Sequence, residues 1–193
     1  MLARVTELAP RADGWHTPLV AALTTMDGFD AVTFSIGQQA ETLLTVWSDD
    51  AAGARDELRA VPPGVRPVPT GPPAVMSQAA VNVPDRRQDV RGAVHRLVRV
   101  QMEASDVAAQ SEYFREHVIP ENLLCADGFR GVRFLVDAAT GAGLVSTIWR
   151  DSKATAAVDA LGAGRRERGV TRGISIGEPT YQQIAHHTWG RGI

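Results

Sequence analysis

The 193-residue chain has few of the sequence features that indicate a function directly, such as paired cysteines, an excess of one charge or a long apolar run. A single cysteine, Cys125, excludes an internal disulfide, and 20 basic against 22 acidic residues leave no positive excess for a phosphate backbone. No apolar run approaches the roughly 20 residues that span a bilayer, and residues 1–11 lack the apolar stretch of a signal peptide. We therefore expect a cytoplasmic protein that binds neither nucleic acid nor membrane.

The sequence does contain an internal repeat, which is sought first because it decides the whole fold. Four sets of residues recur in the same order with a slowly increasing offset: Asp27-Gly28-Phe29 with Asp127-Gly128-Phe129, Thr45-Val46-Trp47 with Thr147-Ile148-Trp149, Arg66 with Arg172, and Gly71-Pro72-Pro73 with Gly177-Glu178-Pro179. Small loop insertions account for the increase. The order predicts a tandem duplication with repeat one at 1–76, a linker at 77–92 and repeat two at 93–193.

Hydrophobic periodicity predicts the same βαββαβ order in both repeats. The predicted strands are 4–8, 31–36, 42–47 and 65–68, then 95–102, 131–136, 144–149 and 173–176, with further short strands at 74–78 and from 180. The predicted helices are 15–26 and 49–60, then 107–125 and 151–162. Pro120 predicts a kink or break in the third helix, and the glycines at 162 and 164 predict that an Arg-rich turn follows the fourth.

A βαββαβ sheet carries its helices on one face, so its other face needs a cover. Two copies supply that cover for each other. The predicted fold class is therefore α+β, with two tandem ferredoxin-like units and antiparallel sheets forming a pseudo-dimeric α+β barrel. Fusion supplies within one chain what a single copy obtains by dimerising, so we expect a pseudo-dimeric monomer or a homodimer.

The segment Asp127–Asp137, followed by Gly143–Ser152, resembles the antibiotic biosynthesis monooxygenase domain of the dimeric α+β barrel superfamily. The resemblance covers nearly all of repeat two and, more weakly, repeat one. It implies a monooxygenase that acts on an aromatic or polyketide-like small molecule and needs no cofactor. The superfamily also includes haem degraders and proteins without known activity, so a non-catalytic small-molecule-binding or stress-associated protein is the alternative.

The resemblance also implies roles for particular residues. Trp47 and Trp149 match a tryptophan that lies in the pocket between sheet and helices. Its asparagine partner is absent, because Leu43 and Val145 stand four positions before the tryptophans. Haem degraders take an axial histidine from the second helix, and neither 49–60 nor 152–162 contains a histidine, so haem degradation is not expected.

The candidate catalytic residue is His117, a base that shares a helix face with Tyr113 at four-residue spacing; a surface histidine is the alternative. The substrate-binding candidates share an aromatic ring or a positive charge: Trp149, Trp47, Tyr113, Arg133 and Phe134. Both tryptophans could equally be strand core, and Arg133 could be salt-bridged or exposed instead of anchoring a carboxylate. Adjacent His186 and His187 point to opposite strand faces, so no metal site is predicted. A single working pocket is expected in repeat two.

Overall fold

The computed structural model describes residues 1–11, 15–38, 40–48, 58, 68–85, 88–160 and 162–188. The predicted helix at 49–60 and the predicted strand at 65–68 lie outside these residues, apart from Leu58 and Val68. Two compact units are present, Met1–Met76 with Gln182–Ile193 (unit 1) and Ser77–Tyr181 (unit 2).

Unit 1 has an antiparallel sheet and one described α-helix. Its elements are β1 (Leu2–Leu8), α1 (His16–Leu23), β2 (Phe29–Ile36), β3 (Glu41–Trp47) and the last part of β9 (Thr180–Thr188). The strand order is β1-β3-β2-β9, and Leu8 at the end of β1 forms an antiparallel bridge with Pro69. The buried side of the sheet packs against α1 through Leu19 and Leu23, with Phe34 and Trp47 at the centre.

Unit 2 contains the complete βαββαβ order of repeat two. Its elements are β4 (Ala74–Asn82, from Ser77), β5 (Val94–Gln101), a 3-10 turn (Ala104–Asp106), α2 (Val107–Tyr113), a π-helix (Phe114–Leu123), β6 (Phe129–Val136), β7 (Ala142–Trp149), α3 (Ser152–Ala160), α4 (Gly162–Thr171) and β8 (Ser175–Ile176). The antiparallel order is β4-β6-β7-β5-β8. The predicted α+β class with ferredoxin-like strand order is confirmed.

Each unit includes strand residues that lie outside the repeat predicted to form it. In unit 2, β4 pairs with β6 from Ser77 opposite Val136 to Asn82 opposite Val132. In unit 1, β9 pairs with β2. The segment predicted as a linker from residue 77 therefore begins as a strand. Its polar composition is misleading because an antiparallel strand can keep part of its residues exposed, and only some positions of β4 are buried.

The third predicted helix does not break at Pro120. The chain leaves α2 and continues as the π-helix, in which the Leu124 amide donates to the Ile119 carbonyl at 3.0 Å, a five-residue step. Proline has no N–H and clashes with the carbonyl four residues earlier in an α-helix. The wider register lets the chain stay helical past this residue.

The predicted Arg-rich turn after residue 162 is wrong, because these residues form α4. Glycine disfavours a helix by about 1 kcal/mol relative to alanine. Gly169 nevertheless has a packing reason to be there: it is buried, and a Cβ at this position would lie 2.6 Å from Cδ1 of Ile176. The glycine lets α4 approach β8, and this contact outweighs the local propensity.

Candidate functional site

Corresponding glycines lie in the turns that lead into β2 and β6, five residues after the helices end at Leu23 and Leu123. Gly28 and Gly128 have φ of 77° and 81°, a left-handed conformation that favours glycine. The Gly28 carbonyl accepts a hydrogen bond from the backbone N–H of Ser48, directly after β3, at 2.8 Å. The Gly128 carbonyl accepts the corresponding bond from Arg150, directly after β7, at 2.7 Å. This turn fixes where the tryptophan at the end of that strand lies.

The tryptophan of unit 2 is held by its own strand and by the turn. Trp149 is fully buried, and its Nε1 donates to Thr147 Oγ1 at 2.9 Å. Phe129 packs edge-on against it, with ring centroids 5.4 Å apart. The indole N–H is therefore already used within the strand, and the ring has no exposed surface. The same contacts recur in unit 1 among Trp47, Thr45 and Phe29.

A cavity of about 200 Å³ lies in unit 2 between the sheet and its helices. The side chains of one sheet face alternate along the strands, as pleating requires. They are Arg96, Val98, Val100, Phe134, Val145, Thr147 and Trp149. The helices and the segment that leads into β8 supply the remaining walls, mainly through Gln110, Tyr113, Phe114, Val118, Asn122, Leu123, Val158, Arg172, Ile174 and Ile176.

The interior of this cavity is apolar and aromatic. Phe114 of the π-helix packs on Phe134 of β6 with ring centroids 4.6 Å apart and planes inclined by 33°. Trp149 also borders the cavity, although the exposed fraction of its side chain is zero. A flat apolar molecule would therefore meet ring faces and branched aliphatic side chains.

On one polar edge of the cavity, the charge of Arg96 is paired with that of Asp159. The Arg96 guanidinium donates to Asp159 Oδ1 at 2.8 and 3.0 Å, and Thr147 Oγ1 donates to the Arg96 carbonyl at 3.2 Å. The Tyr181 hydroxyl also donates to Asp159. Burial and this hydrogen bond raise the pKa of Tyr181 above its usual value. The positive charge of Arg96 is thus already paired.

A second polar edge carries a positive charge without such a partner. The Arg172 guanidinium carbon lies 3.7 Å from the ring centroid of Tyr113, a cation–π contact. Gln110 Nε2 donates to the Arg172 carbonyl at 3.3 Å and so holds the backbone in place. Arg172 is exposed, and no carboxylate pairs with it within the described ranges.

The structure brings three of the predicted site residues together. Tyr113, Phe134 and Trp149 all line the cavity. Trp47 lies in the core of unit 1. The other two predicted residues lie outside the lining.

His117 and Arg133 have partners elsewhere. The His117 side chain is 50% exposed, and its Nδ1 lies 2.9 Å from Glu121 Oε1. Its ring centroid is 5.0 Å from that of Tyr113, so the predicted proximity is present although only Tyr113 faces the cavity. Arg133 is buried and donates to Gln78 Oε1 of β4 at 2.5 Å. Its strand neighbour Phe134 occupies the cavity face, which leaves Arg133 on the other face.

Comparisons with known proteins give a fold but no family. No family model matches the sequence, and no curated protein matches it closely enough to count as a relative. Solved structures do match. A Fusobacterium nucleatum protein provisionally named a monooxygenase has a TM-score of 0.69 at 10% identity, over 99% of this chain and 94% of its own.

Two further structures extend this likeness. An uncharacterized ferredoxin-fold protein from Listeria monocytogenes, described as related to antibiotic biosynthesis monooxygenases, has a TM-score of 0.58 at 7% identity over 96% of this chain and 95% of its own. An anthrone oxidase-like protein has a TM-score of 0.57 at 15% identity over 100% and 94%. The chain has their fold. At such identities the likeness extends to architecture alone.

Within this ferredoxin fold, four polar lining residues escaped the sequence analysis: Arg96, Gln110, Asn122 and Arg172. The resemblance implies an asparagine on the strand of Trp149, whereas the cavity receives Asn122 from the π-helix. Arg172 did carry a signal, because it is in register with Arg66 in the other repeat. Arg96 lies in β5 opposite Thr147, and only the strand register reveals it.

The described residues contain no group of three or more histidine, cysteine, aspartate or glutamate side chains arranged to hold a metal ion. They also contain no helix that is both long and apolar enough to cross a membrane.

Proposed function

We propose that unit 2 binds a small aromatic or polyketide-like molecule and oxygenates it without a cofactor. The observation that carries this proposal is the cavity itself, an aromatic and aliphatic space whose charged lining residues, among those described, are both arginines. Such a space suits an electron-rich molecule that reacts as an anion. One structure with the same fold is named an anthrone oxidase-like protein. An anthrone has the acidic C–H that such a reaction needs, although its three rings are larger than the space within the walls of the unit 2 cavity.

The chemistry needs dioxygen and a substrate with an acidic C–H next to a ring or carbonyl group. Loss of that proton gives a carbanion, which transfers electrons to dioxygen and forms a carbon–oxygen bond as a hydroperoxide. Loss of water then leaves a carbonyl, so CH₂ and O₂ become C=O and H₂O. The substrate supplies all the electrons. The protein contributes a dry cavity and a positive charge that favours the anion.

The described lining residues include neither a carboxylate nor a histidine. A general base must lie within hydrogen-bond reach of the proton that it removes. The proposed substrate therefore has a proton acidic enough to be lost near neutral pH, with Arg172 stabilising its anion. The same observation favours the second candidate, a protein that binds such a molecule without reacting with it.

Changing Phe114 to leucine tests the site. Phe114 lines the cavity and is half-buried, so the change removes a ring face from the ligand without opening the core. We expect the affinity for an aromatic ligand to fall about 2- to 10-fold, because an aromatic pair contributes about 0.5–1.5 kcal/mol. A thermal-shift screen against anthrones, hydroquinones, flavins and haem identifies the ligand, since binding to the native state raises its melting temperature.

The matched control is Phe29→Leu, which removes a half-buried phenylalanine beside Trp47 in unit 1. It should leave the ligand-induced shift unchanged. Each compound that shifts the melting temperature is then followed with an oxygen electrode. Uptake of one O₂ per carbonyl formed supports the oxygenase, whereas a shift without uptake supports the binding protein. Equal loss of the shift in both variants would contradict this placement of the site.

A further inference from the structure

We infer that the natural ligand is an aromatic acid of one or two rings, bound with its carboxylate or phenolate oxygen against Arg172. The inference rests on the proposed function for the location of the ligand in the unit 2 cavity. It goes further by setting the size and charge of the ligand, and it holds whether or not the bound molecule is oxygenated.

The volume limits the ring count. An engineered protein cavity of about 150 Å³ binds benzene, whereas drug-sized ligands occupy pockets of about 300–1,000 Å³. The unit 2 cavity, at about 200 Å³, lies near the lower of these values. It has room for two fused rings, and a third ring would have to lie outside the walls or displace them. Those walls include Phe134 and Trp149, which are core residues and resist displacement.

The distribution of charge places the acidic group. Arg96 has its charge balanced by Asp159, so it offers an incoming anion little net attraction. The Arg172 guanidinium carbon lies over the ring of Tyr113, 3.7 Å from its centroid, and the side chain is exposed at the cavity. Stacking on an aromatic face leaves the N–H groups at the edge of the guanidinium directed sideways, where they can donate two parallel hydrogen bonds to a carboxylate. The Gln110 contact to the Arg172 backbone reduces the ordering that binding requires.

The apolar character of the remaining walls indicates that the acid is aromatic. Val98, Val100 and Val145 of the sheet face Ile174 and Ile176 on the β8 side, with the phenylalanine pair between them. A small hydrophilic acid would leave these surfaces uncovered and gain little from the hydrophobic effect. A neutral aromatic would cover them but leave Arg172 without a counter-charge. Only a molecule with both an aromatic ring and an acidic group contacts both the apolar walls and Arg172.

Calorimetric titration of the full chain tests the inference with four probes: 1-hydroxy-2-naphthoate, its methyl ester, anthracene-2-carboxylate and acetate. The ester keeps the rings and the hydroxyl and removes the charge. We expect the naphthoate to bind about tenfold or more tightly than the ester, because hydrogen bonds to charged groups are the strong ones. Acetate and the three-ring acid should bind at least about tenfold more weakly than the naphthoate.

Arg172→Gln should abolish the preference for the acid while leaving the affinity for the ester unchanged, and Arg172→Lys should restore part of that preference. The control is Arg115→Gln, which removes the same charge from an exposed position outside the lining and should keep the preference intact. Unchanged melting temperatures of the unliganded variants would show that each remains folded.

Several results would overturn the inference. These are equal affinity for acid and ester in the natural protein, a preference that survives in Arg172→Gln, equal binding of the three-ring acid, and failure of every probe to bind. Oxygen uptake separates the two proposals. Naphthoate binding without uptake of oxygen from any acidic aromatic would defeat the oxygenase and leave the inference standing. Uptake with a neutral three-ring anthrone, without acid preference, would do the reverse.

Discussion

Replacing Trp149 by alanine is expected to lower the free energy of unfolding by about 3–5 kcal/mol, the usual range for a buried tryptophan. The ring has no exposed surface and belongs to the core that includes Phe134, Leu123 and Val158. Its loss would also leave Thr147 Oγ1 without a donor and enlarge the space beside the existing cavity. Denaturant unfolding, followed by circular dichroism, measures the change.

Trp47→Ala is the matched control, because Trp47 has the same threonine and phenylalanine partners in unit 1. It should cost a similar free energy without altering ligand binding in unit 2. Trp149→Phe, which keeps a ring, should cost less and weaken binding. A loss below about 1 kcal/mol for Trp149→Ala would show that Trp149 is a replaceable wall of the site and has little part in the core.

The occurrence of the same tryptophan arrangement in both units affects how it is interpreted. Trp47 and Trp149 each donate to a threonine two residues earlier and each meet a phenylalanine edge-on. These contacts are local consequences of the glycine turn and of the strand that ends at tryptophan. Tryptophan in both repeats is therefore explained by packing, and it gives no separate support to catalysis. The argument for a site depends on the cavity residues instead.

The strands and turns of the fold could be predicted from the sequence because their signals are local. Alternation over 131–136 and 144–149 predicted β6 and β7 to within two residues at each end. The Asp-Gly-Phe pattern marked both left-handed glycines. Such features depend on the neighbours of each residue along the chain, which a sequence displays directly.

The polar edges of the cavity could not be predicted because they depend on tertiary packing. Arg172 reaches Tyr113 only because α4 exists, and α4 exists despite its glycines because Gly169 fits against Ile176. Asn122 faces the cavity from a π-helix that α-helical spacing does not anticipate. For the same reason, helical spacing correctly predicted that Tyr113 and His117 lie close together. It could not show that only Tyr113 lines the cavity.

Acid is expected to destabilise the protein through His95, well before most carboxylates become protonated. His95 is fully buried in β5, with Nε2 2.7 Å from Ser146 Oγ. Burial lowers its pKa from 6.5 to about 3 in the folded protein. Between these values the unfolded chain binds a proton that the folded protein does not, so the free energy of unfolding falls as pH falls. The slope is about 1.4 kcal/mol per pH unit below pH 6.5, or about 2 kcal/mol by pH 5.

Comparing the natural protein with His95→Gln isolates this contribution, since the four other histidines titrate identically in both. Glutamine keeps a polar group beside Ser146 and cannot take up the proton. The variant will be less stable near pH 7, because its side chain fits the site less well. Its unfolding free energy should nevertheless decline less steeply between pH 6.5 and 5, so that the two curves converge by about 2 kcal/mol. Parallel curves over that interval would mean that His95 binds a proton as readily in the folded protein as in the unfolded chain. Burial would then not lower its pKa.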